Sequence, residues 1–252
     1  MKKFLAITLV LVLSLFLVSG SAVALTLGDF GDGGAALQGV FNDITVGGNS
    51  SIDVTTDAIV DEYDSYWEIT ATGASVATMV IELAGYSGTN AFGVYSGGQY
   101  VELFGGGKSA GDQVLLSITA LGDVYVNFAD TGVDFAGGTF GYYLDATAGN
   151  NNSSAVFHSD TLLNTDGVDH MGAYQGLDID TVQIAPWGPG LWTDNEYILA
   201  WEDLFTNSDQ DYTDFVVMVE SVNPVPEPGT LLLLGAGLIG LIGLGRKKIA
   251  KK

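Results

Sequence analysis

Short apolar runs separated by turn-forming residues constrain the fold of this chain more than any other feature. The runs are rich in Val, Ile, Tyr, Phe and Trp, and clusters of Gly, Asn, Asp, Ser and Thr lie between them. Between the two ends of the chain, no stretch keeps a helical period for three turns. We therefore predict strands at residues 66–72, 76–83, 91–95, 100–104, 114–120, 124–128, 139–144, 155–158, 197–201 and 215–222.

This spacing predicts an all-β fold. Many short strands at hairpin-length intervals are typical of an antiparallel β-sandwich, here of jelly-roll type. The Gly- and Asp-rich residues 25–60 predict an edge strand or a loosely structured lead-in. Residues 25–223 lie between the two ends of the chain and are predicted to form one domain or two small ones; no change in composition marks a boundary inside this range.

The N-terminal residues 1–24 predict a secretory signal peptide. Two lysines precede an apolar run at 4–18, and small residues follow, with Ala22 and Ala24 at the positions that signal peptidase reads. The run is shorter than the roughly 20 residues that a membrane-spanning helix needs. We expect cleavage after Ala24; a retained N-terminal anchor is the less favoured alternative.

The C-terminal residues 224–252 have three parts. Pro226, Glu227 and Pro228 form an extended motif that cannot continue a helix or a strand. An uncharged apolar stretch of membrane-helix character follows at 231–244, and a basic cluster that favours the cytoplasmic side ends the chain. The stretch is marginal as a permanent span, which suits a transient stop in the membrane; an ordinary C-terminal anchor is the alternative.

This order of Pro-Glu-Pro, apolar helix and basic end resembles the PEP-CTERM family of sorting tails. The resemblance implies recognition by an exosortase, a membrane enzyme of transpeptidase type. We therefore expect an exported protein of the cell envelope, cell surface or extracellular matrix, with its tail in the membrane at least until processing.

Charge is distributed very unevenly along the chain. Seven of the 8 Lys and Arg residues lie in the two ends, and only one of the 30 acidic residues does, which leaves 29 acids and Lys108 in residues 25–223. Such a surface repels nucleic acid and anionic lipid. The chain has no cysteine, so disulfides and thiolate chemistry are excluded. Bound divalent cations, calcium above all, would reconcile this charge with a packed core.

Acidic residues are densest between the last two predicted strands. Glu202, Asp203, Asp209, Asp211 and Asp214 lie in a hairpin connection that contains no Lys or Arg. Carboxylate oxygens are the ligands that calcium prefers, although this spacing matches neither an EF-hand nor a Gly-Gly-x-Gly-x-Asp repeat. Asp169 is a further candidate ligand.

The same segment resembles the C-terminal signature of a domain of unknown function that is common in secreted bacterial proteins. The pattern is Glu-Asp, then Asp-x-Asp-Tyr-x-Asp-Phe-Val-Val, with Thr213 where the family more often has Asn. Residues 91–95 and 159–175 are similar to the same family. The resemblance implies a β-sandwich, hints at calcium, and implies no reaction.

No residue pattern predicts an enzyme. His170 beside Asp169 suggests either a metal ligand or general base, or a structural histidine, and we favour the structural interpretation for it and for His158. No nucleophile elbow, phosphate loop, dinucleotide fingerprint or zinc-protease motif is present. Glycoside hydrolysis needs a pair of carboxylates at a set distance, but among 29 acids some pair will meet that spacing by chance. The presence of such a pair therefore does not indicate an enzyme, and a glycoside-active enzyme is the least favoured alternative.

Trp187 and Trp192 lie in a Gly/Pro-rich loop. Exposed indole rings stack on sugar faces. Binding of a carbohydrate or exopolysaccharide, or adhesion, is therefore the alternative to a non-catalytic, calcium-stabilised sandwich. The other interpretation of the two rings is that they close one end of the sandwich.

Overall fold

A computed structural model describes residues 30–70, 74–81, 89–149, 155–205 and 209–226. It contains two short α-helices, α1 (Ala35–Ile44) and α2 (Asp61–Asp64), and single 3₁₀ turns at Thr147–Gly149 and Thr161–Leu163. The described strands are β1 (Tyr66–Ile69), β2 (Ser75–Ile81), β3 (Ala91–Ser96), β4 (Gln99–Phe104), β5 (Gln113–Ile118), β6 (Asp123–Val126), β7 (Ala129–Asp134), β8 (Thr139–Asp145), β9 (Val156–His158), β10 (Met171–Gln175), β11 (Thr181–Val182), β12 (Gly190–Leu191), β13 (Glu196–Trp201), β14 (Phe215–Glu220) and β15 (Val222–Val225).

The strands form two main antiparallel sheets that pack as a sandwich. One sheet has the order β15-β1-β8-β3-β4, with β9 also paired to β8. The other has seven strands in the order β10-β13-β14-β2-β5-β6-β7. β11 and β12 form a separate two-stranded ribbon. The predicted all-β antiparallel sandwich is confirmed.

Aromatic side chains fill the space between the two sheets. Phe92 of the first sheet stacks on Phe215 of the second, with ring centroids 5.3 Å apart, and Trp67 packs edge-on against Tyr197 at 4.9 Å. Tyr197, Leu199 and Trp201 of β13 all face this core, as the period of two along a strand requires. Burial of these rings supplies the main hydrophobic stabilisation of the sandwich.

A second core covers the outer face of the seven-stranded sheet. Leu37, Val40 and Phe41 form the apolar stripe of helix α1 and pack in a cluster with residues such as Tyr174 and Trp192. The Asp32 carboxylate accepts hydrogen bonds from the Gly34 and Ala36 amides at the start of the helix.

This helix corrects the prediction for residues 25–60. From residue 30 onward the segment is an integral part of the fold, neither an edge strand nor a loose lead-in. A stripe at positions i, i+3 and i+4 in a helix of 10 residues is too short to give a clear helical period, so the pattern did not distinguish it from a loop.

The sequence pattern also missed several strands, each for a physical reason. β7 is an edge strand with mostly exposed side chains, and β10 contains Gly and Ala in place of β-branched residues. β15 contains Pro224, which is tolerated because β15 lies at the edge of its sheet. Within the described part of the chain, no helix has both the length and the apolar character needed to cross a membrane; the predicted signal peptide and C-terminal helix lie outside the described residues.

We predict that the α1 contact is required for stability. Phe41→Ala should lower the free energy of unfolding by about 3–5 kcal/mol, because it removes a fully buried ring and leaves a cavity in its place. The matched control is Leu121→Ala, which removes a side chain that is 87% exposed and should change stability by less than about 0.5 kcal/mol. Urea unfolding measures both; an equally small effect of the two substitutions would contradict the integral role of α1.

Candidate functional site

The predicted acidic residues gather where the β13–β14 hairpin ends. The last cross-strand pair of this hairpin is Trp201 with Phe215. Glu202 and Asp214 are the next residues along each strand, so their side chains emerge at the same end of the sheet. Two hydrogen bonds hold the chain together just beyond the last ladder pair. The Asp203 amide donates to Asp214 Oδ2 at 2.9 Å, and the Glu202 amide donates to the His170 carbonyl at 3.0 Å.

The five carboxylates form two groups that share Glu202. One group comprises Glu202, Asp209 and Asp211, and the other comprises Glu202, Asp203 and Asp214; within each, one oxygen per residue lies within 4.8 Å of the others. Two oxygens that each lie about 2.4 Å from one calcium ion are at most about 4.8 Å apart, so each group meets this necessary condition for sharing a cation.

The two groups differ in their exposure to solvent. Glu202 is 3% exposed and Asp203 is fully buried, whereas Asp209 is exposed and Asp211 is half-buried. The Glu202–Asp209–Asp211 group is thus open to ions from solution on one side and buried on the other. A cation that bound this group would enter from the solvent side and would be partly desolvated on the buried side.

Hydrogen bonds hold several of these carboxylates in place. Asn90 donates through Nδ2 to Asp203 Oδ2 at 3.0 Å. The Thr213 amide and hydroxyl both donate to Asp211 Oδ1, at 2.9 and 2.7 Å. Asn90 was not predictable from the sequence, because a single Asn that is 113 residues away from its partner gives no local pattern.

Burial and mutual repulsion raise the pKa values in the second group. Burial raises the pKa of Asp214 to about 9, and the nearby carboxylates of Glu202 and Asp203 add to the effect. Burial likewise raises the pKa of Asp203, opposed by the hydrogen bond from Asn90. Carboxylates this close together repel one another less when protons or a bound cation neutralise part of their charge.

The loop that carries Asp209 and Asp211 has a strained backbone. Gln210 and Tyr212 have φ angles of 53° and 55°, in the left-handed region that costs non-glycine residues about 1–2 kcal/mol each. These residues alternate with Asp209 and Asp211, so their conformation sets the direction of both carboxylates. Such strain persists only where surrounding contacts over-determine it.

The N-terminal part of the described chain supplies those contacts. The Gly31 amide donates to the Gln210 carbonyl at 3.1 Å, and Phe30 packs edge-on against Tyr212 with centroids 5.2 Å apart. The Tyr212 hydroxyl donates to the Asp169 carbonyl at 3.0 Å. A side chain at Gly31 would collide with the Asp209 carbonyl oxygen, so glycine is required for this close approach.

Neither of the two carboxylate groups includes Asp169. Its carboxylate is buried and accepts a hydrogen bond from the Met171 amide at 3.0 Å. Burial raises the pKa of Asp169 to about 8, and the negative charge of Asp61 on α2 adds to this. Its role as a metal ligand stays a prediction; Asp61, whose charge acts on it, was not singled out from the sequence.

The imidazole rings of both histidines contact other side chains of the protein. His170 Nδ1 lies 3.1 Å from the Glu202 carbonyl and Nε2 lies 2.9 Å from Asp166 Oδ2, while its ring stacks on Phe157. Both nitrogens of His170 thus have partners within the protein, as the structural interpretation requires. His158 Nε2 contacts the Tyr100 hydroxyl at 2.9 Å, and burial lowers its pKa.

The predicted pair of stacking tryptophans is not formed. Trp192 is 1% exposed and packs against Phe41 of α1, so the prediction of an exposed ring is wrong for this residue. Trp187 is 46% exposed and remains accessible. Of the predicted processing residues, Pro226 ends the described chain, and Glu227, Pro228, Ala22 and Ala24 lie outside the described residues.

Comparison with known proteins gives two family matches. Residues 135–222 match a domain of unknown function, DUF4114. This range contains the acidic hairpin and the segment at 159–175, whereas residues 91–95, which had suggested the same family, lie upstream of it. Residues 224–248 match the PEP-CTERM protein-sorting motif. No curated protein matches the chain significantly.

The sorting motif identifies an exported protein that an exosortase-type enzyme processes, with transient anchorage at the membrane and sorting to the cell surface. The DUF4114 match assigns no activity. The chain thus combines a DUF4114 domain with a C-terminal PEP-CTERM sorting motif.

Proposed function

We propose that residues 25–223 form a non-catalytic β-sandwich that binds calcium at the end of the β13–β14 hairpin and is delivered to the cell surface or extracellular matrix. The observation that carries this proposal is the position of Glu202, buried and shared between two groups of carboxylates with oxygens within 4.8 Å of one another. Calcium takes six to eight oxygen ligands, and carboxylates bind it through one or both oxygens.

The donor set suits a hard cation. All the clustered acidic groups offer oxygen, and the histidine at the edge has both nitrogens engaged within the protein. Glu202, Asp209 and Asp211 would form the primary site, because Asp209 and Asp211 reach solvent and can capture an ion. Softer metals prefer nitrogen and sulfur ligands, so they fit this site less well.

A cation here would stabilise the fold in two ways. It would replace repulsion between carboxylates by attraction, and it would offset the backbone strain at Gln210 and Tyr212. It would also tie the end of β13 to the start of β14, two strands in the interior of the seven-stranded sheet. The role is structural, and no reacting substrate is needed to explain the arrangement.

Delivery completes the proposal. Signal peptidase would cut after Ala24, and the exosortase-type enzyme would act at Pro226, Glu227 and Pro228. Removal of both ends takes away seven of the 8 basic residues, so the delivered domain depends on external cations for charge balance.

We predict that calcium raises the melting temperature of the exported protein. Calcium at 100 times its dissociation constant would add about 2.7 kcal/mol, or about 5–11 °C for a domain of this size. The double variant Asp209→Asn/Asp211→Asn should lose this shift, whereas Asp134→Asn, which removes an exposed acid from β7, should keep it. Scanning calorimetry with and without a chelator measures the shift; identical curves would rule out the calcium site.

Stability in calcium-free buffer should fall as pH rises. Asp169 and Asp214 ionise near pH 4 in the unfolded chain, but their pKa values are about 8 and about 9 in the folded protein. Between these limits the folded state binds more protons than the unfolded state, so this contribution is complete below pH 4 and declines up to about pH 9.

Urea unfolding at pH 5 and pH 8 tests this pH dependence. Asp214→Asn should reduce the pH dependence, because the amide is neutral at both pH values while Asp169 still titrates, and saturating calcium should also weaken it. A calcium-free protein that is more stable at pH 8 than at pH 5 would contradict the assignment.

Sorting is tested by intact mass spectrometry of protein from the producing cells. We expect a secreted species that begins at Leu25 and lacks the basic end. Replacing both Pro226 and Pro228 by Ala should leave the full tail on a membrane-associated species, whereas Pro189→Ala, outside the tail, should be processed normally. A tail that is removed with equal efficiency in both variants would exclude the motif as the recognition element.

A further inference from the structure

A groove opens on the outer face of the seven-stranded sheet, at the end of the β13–β14 hairpin opposite to Glu202. It has a volume of about 100 Å³ and lies between the sheet and the segment 182–191. This is smaller than the roughly 300–1,000 Å³ of pockets that hold a drug-sized molecule, so it suits one unit of a larger ligand. The lining residues that concern ligand chemistry are Thr78, Gln113, Trp187, Glu196, Met218 and Glu220.

Trp187 forms a rigid, partly exposed wall of the groove. Its indole Nε1 donates to the Gly111 carbonyl at 2.7 Å, and its amide donates to the Ile184 carbonyl at 2.9 Å. Gly111 itself is pressed so closely against Ala185 that no side chain would fit there. The ring belongs to neither hydrophobic core, yet it is fixed in place with 46% of its surface exposed. A pre-positioned ring binds a ligand with little loss of side-chain entropy.

Two glutamates face each other beside this ring. Glu196 of β13 and Glu220 of β14 are directly opposite in the antiparallel ladder, an arrangement that is unfavourable for like charges. The Thr193 amide donates to Glu196 Oε2 at 2.6 Å and so orients this carboxylate. Burial and the charge of Glu196 raise the pKa of Glu220. Hydrogen-bond donors from a ligand would relieve this repulsion.

The rest of the groove combines polar and apolar groups. Gln113 donates through Nε2 to the Thr78 hydroxyl at 3.0 Å, which holds the amide at the wall. Met218 and Ile184 are buried residues that contribute apolar surface. A ligand that fits must therefore present an apolar face to an aromatic ring and several polar donors at its edge.

We propose that this groove binds one sugar residue of an extracellular polysaccharide, stacked on Trp187, with its hydroxyl or ammonium groups donating to Glu196 and Glu220. A sugar ring has one apolar face and a rim of donors, which is the combination that the groove requires. Two carboxylates would repel uronic acids and sulfated sugars. A purely apolar ligand would remove water from the two carboxylates and would offer them no hydrogen-bond donor in its place.

The test uses the exported protein in calcium-containing buffer and three probes: cellotetraose as a neutral sugar, the tetramer of glucosamine as an amino sugar, and tetragalacturonate as an acidic sugar. Calorimetric titration should detect binding of the neutral or the amino probe, and at least tenfold weaker binding of the acidic one. Tighter binding of the amino probe would assign ammonium as the donor, and equal binding would assign hydroxyl groups.

Variants of the groove locate the binding. Trp187→Ala and Glu220→Gln should each weaken binding at least tenfold. Gly190→Leu should also weaken it, because Gly190 lines the groove and a β-carbon there meets no atom within 4 Å, so a larger side chain narrows the groove without displacing the core. Phe128→Ala is the matched control, since it removes an aromatic ring that is 85% exposed at a site away from the groove.

Melting curves for each variant separate lost binding from lost folding, and Gly190→Leu decides the outcome if another substitution unfolds the protein. Failure of wild-type protein to bind the neutral and amino probes would overturn the proposal. Equal binding of the acidic probe, or unchanged affinity in a folded Gly190→Leu variant, would do the same. None of these outcomes depends on whether calcium binds near Glu202.

Discussion

Electrostatic repulsion around Glu202 sets the conditions under which the β13–β14 hairpin can close. β13 and β14 lie inside the seven-stranded sheet, and each strand contributes side chains to both hydrophobic cores. Ladder formation through to the Trp201–Phe215 pair brings Glu202 and Asp214 together, and the following loop adds Asp209 and Asp211. The two cores and the acidic cluster therefore form together, and neutralising the cluster favours the whole sandwich.

Parts of this arrangement were predictable because they depend on local patterns. The apolar run at 197–201 predicted a strand, and the density of acids predicted a cluster between the last two strands. Other parts depend on contacts distant in sequence. Asn90 reaches Asp203 across 113 residues, and Trp192 is buried because helix α1 covers it. Gln210 and Tyr212 adopt the left-handed conformation although neither is a glycine, so this turn could not be predicted from the residue types.

The proposed cation site and the proposed sugar site lie at opposite ends of the β13–β14 hairpin. Glu202 and Asp214 lie at one end, where acidic side chains converge on a space suited to a cation. Glu196 and Glu220 lie at the other end, roughly 20 Å away along the strands, beside a partly exposed indole ring. At both ends the strand register brings acidic groups together, because residues that are opposite in an antiparallel ladder have neighbouring side chains. The proposed ion stabilises the fold, and the proposed sugar site uses the fold that results.

Anomalous X-ray scattering from crystals grown with calcium tests the central claim most directly. We predict a peak between the carboxylates of Glu202, Asp209 and Asp211, with oxygen atoms about 2.4 Å away. Crystals of the Asp209→Asn/Asp211→Asn variant should lack this peak. Wild-type crystals grown in millimolar calcium that show no anomalous peak among these carboxylates would contradict the account, since protons alone would then neutralise the hairpin end.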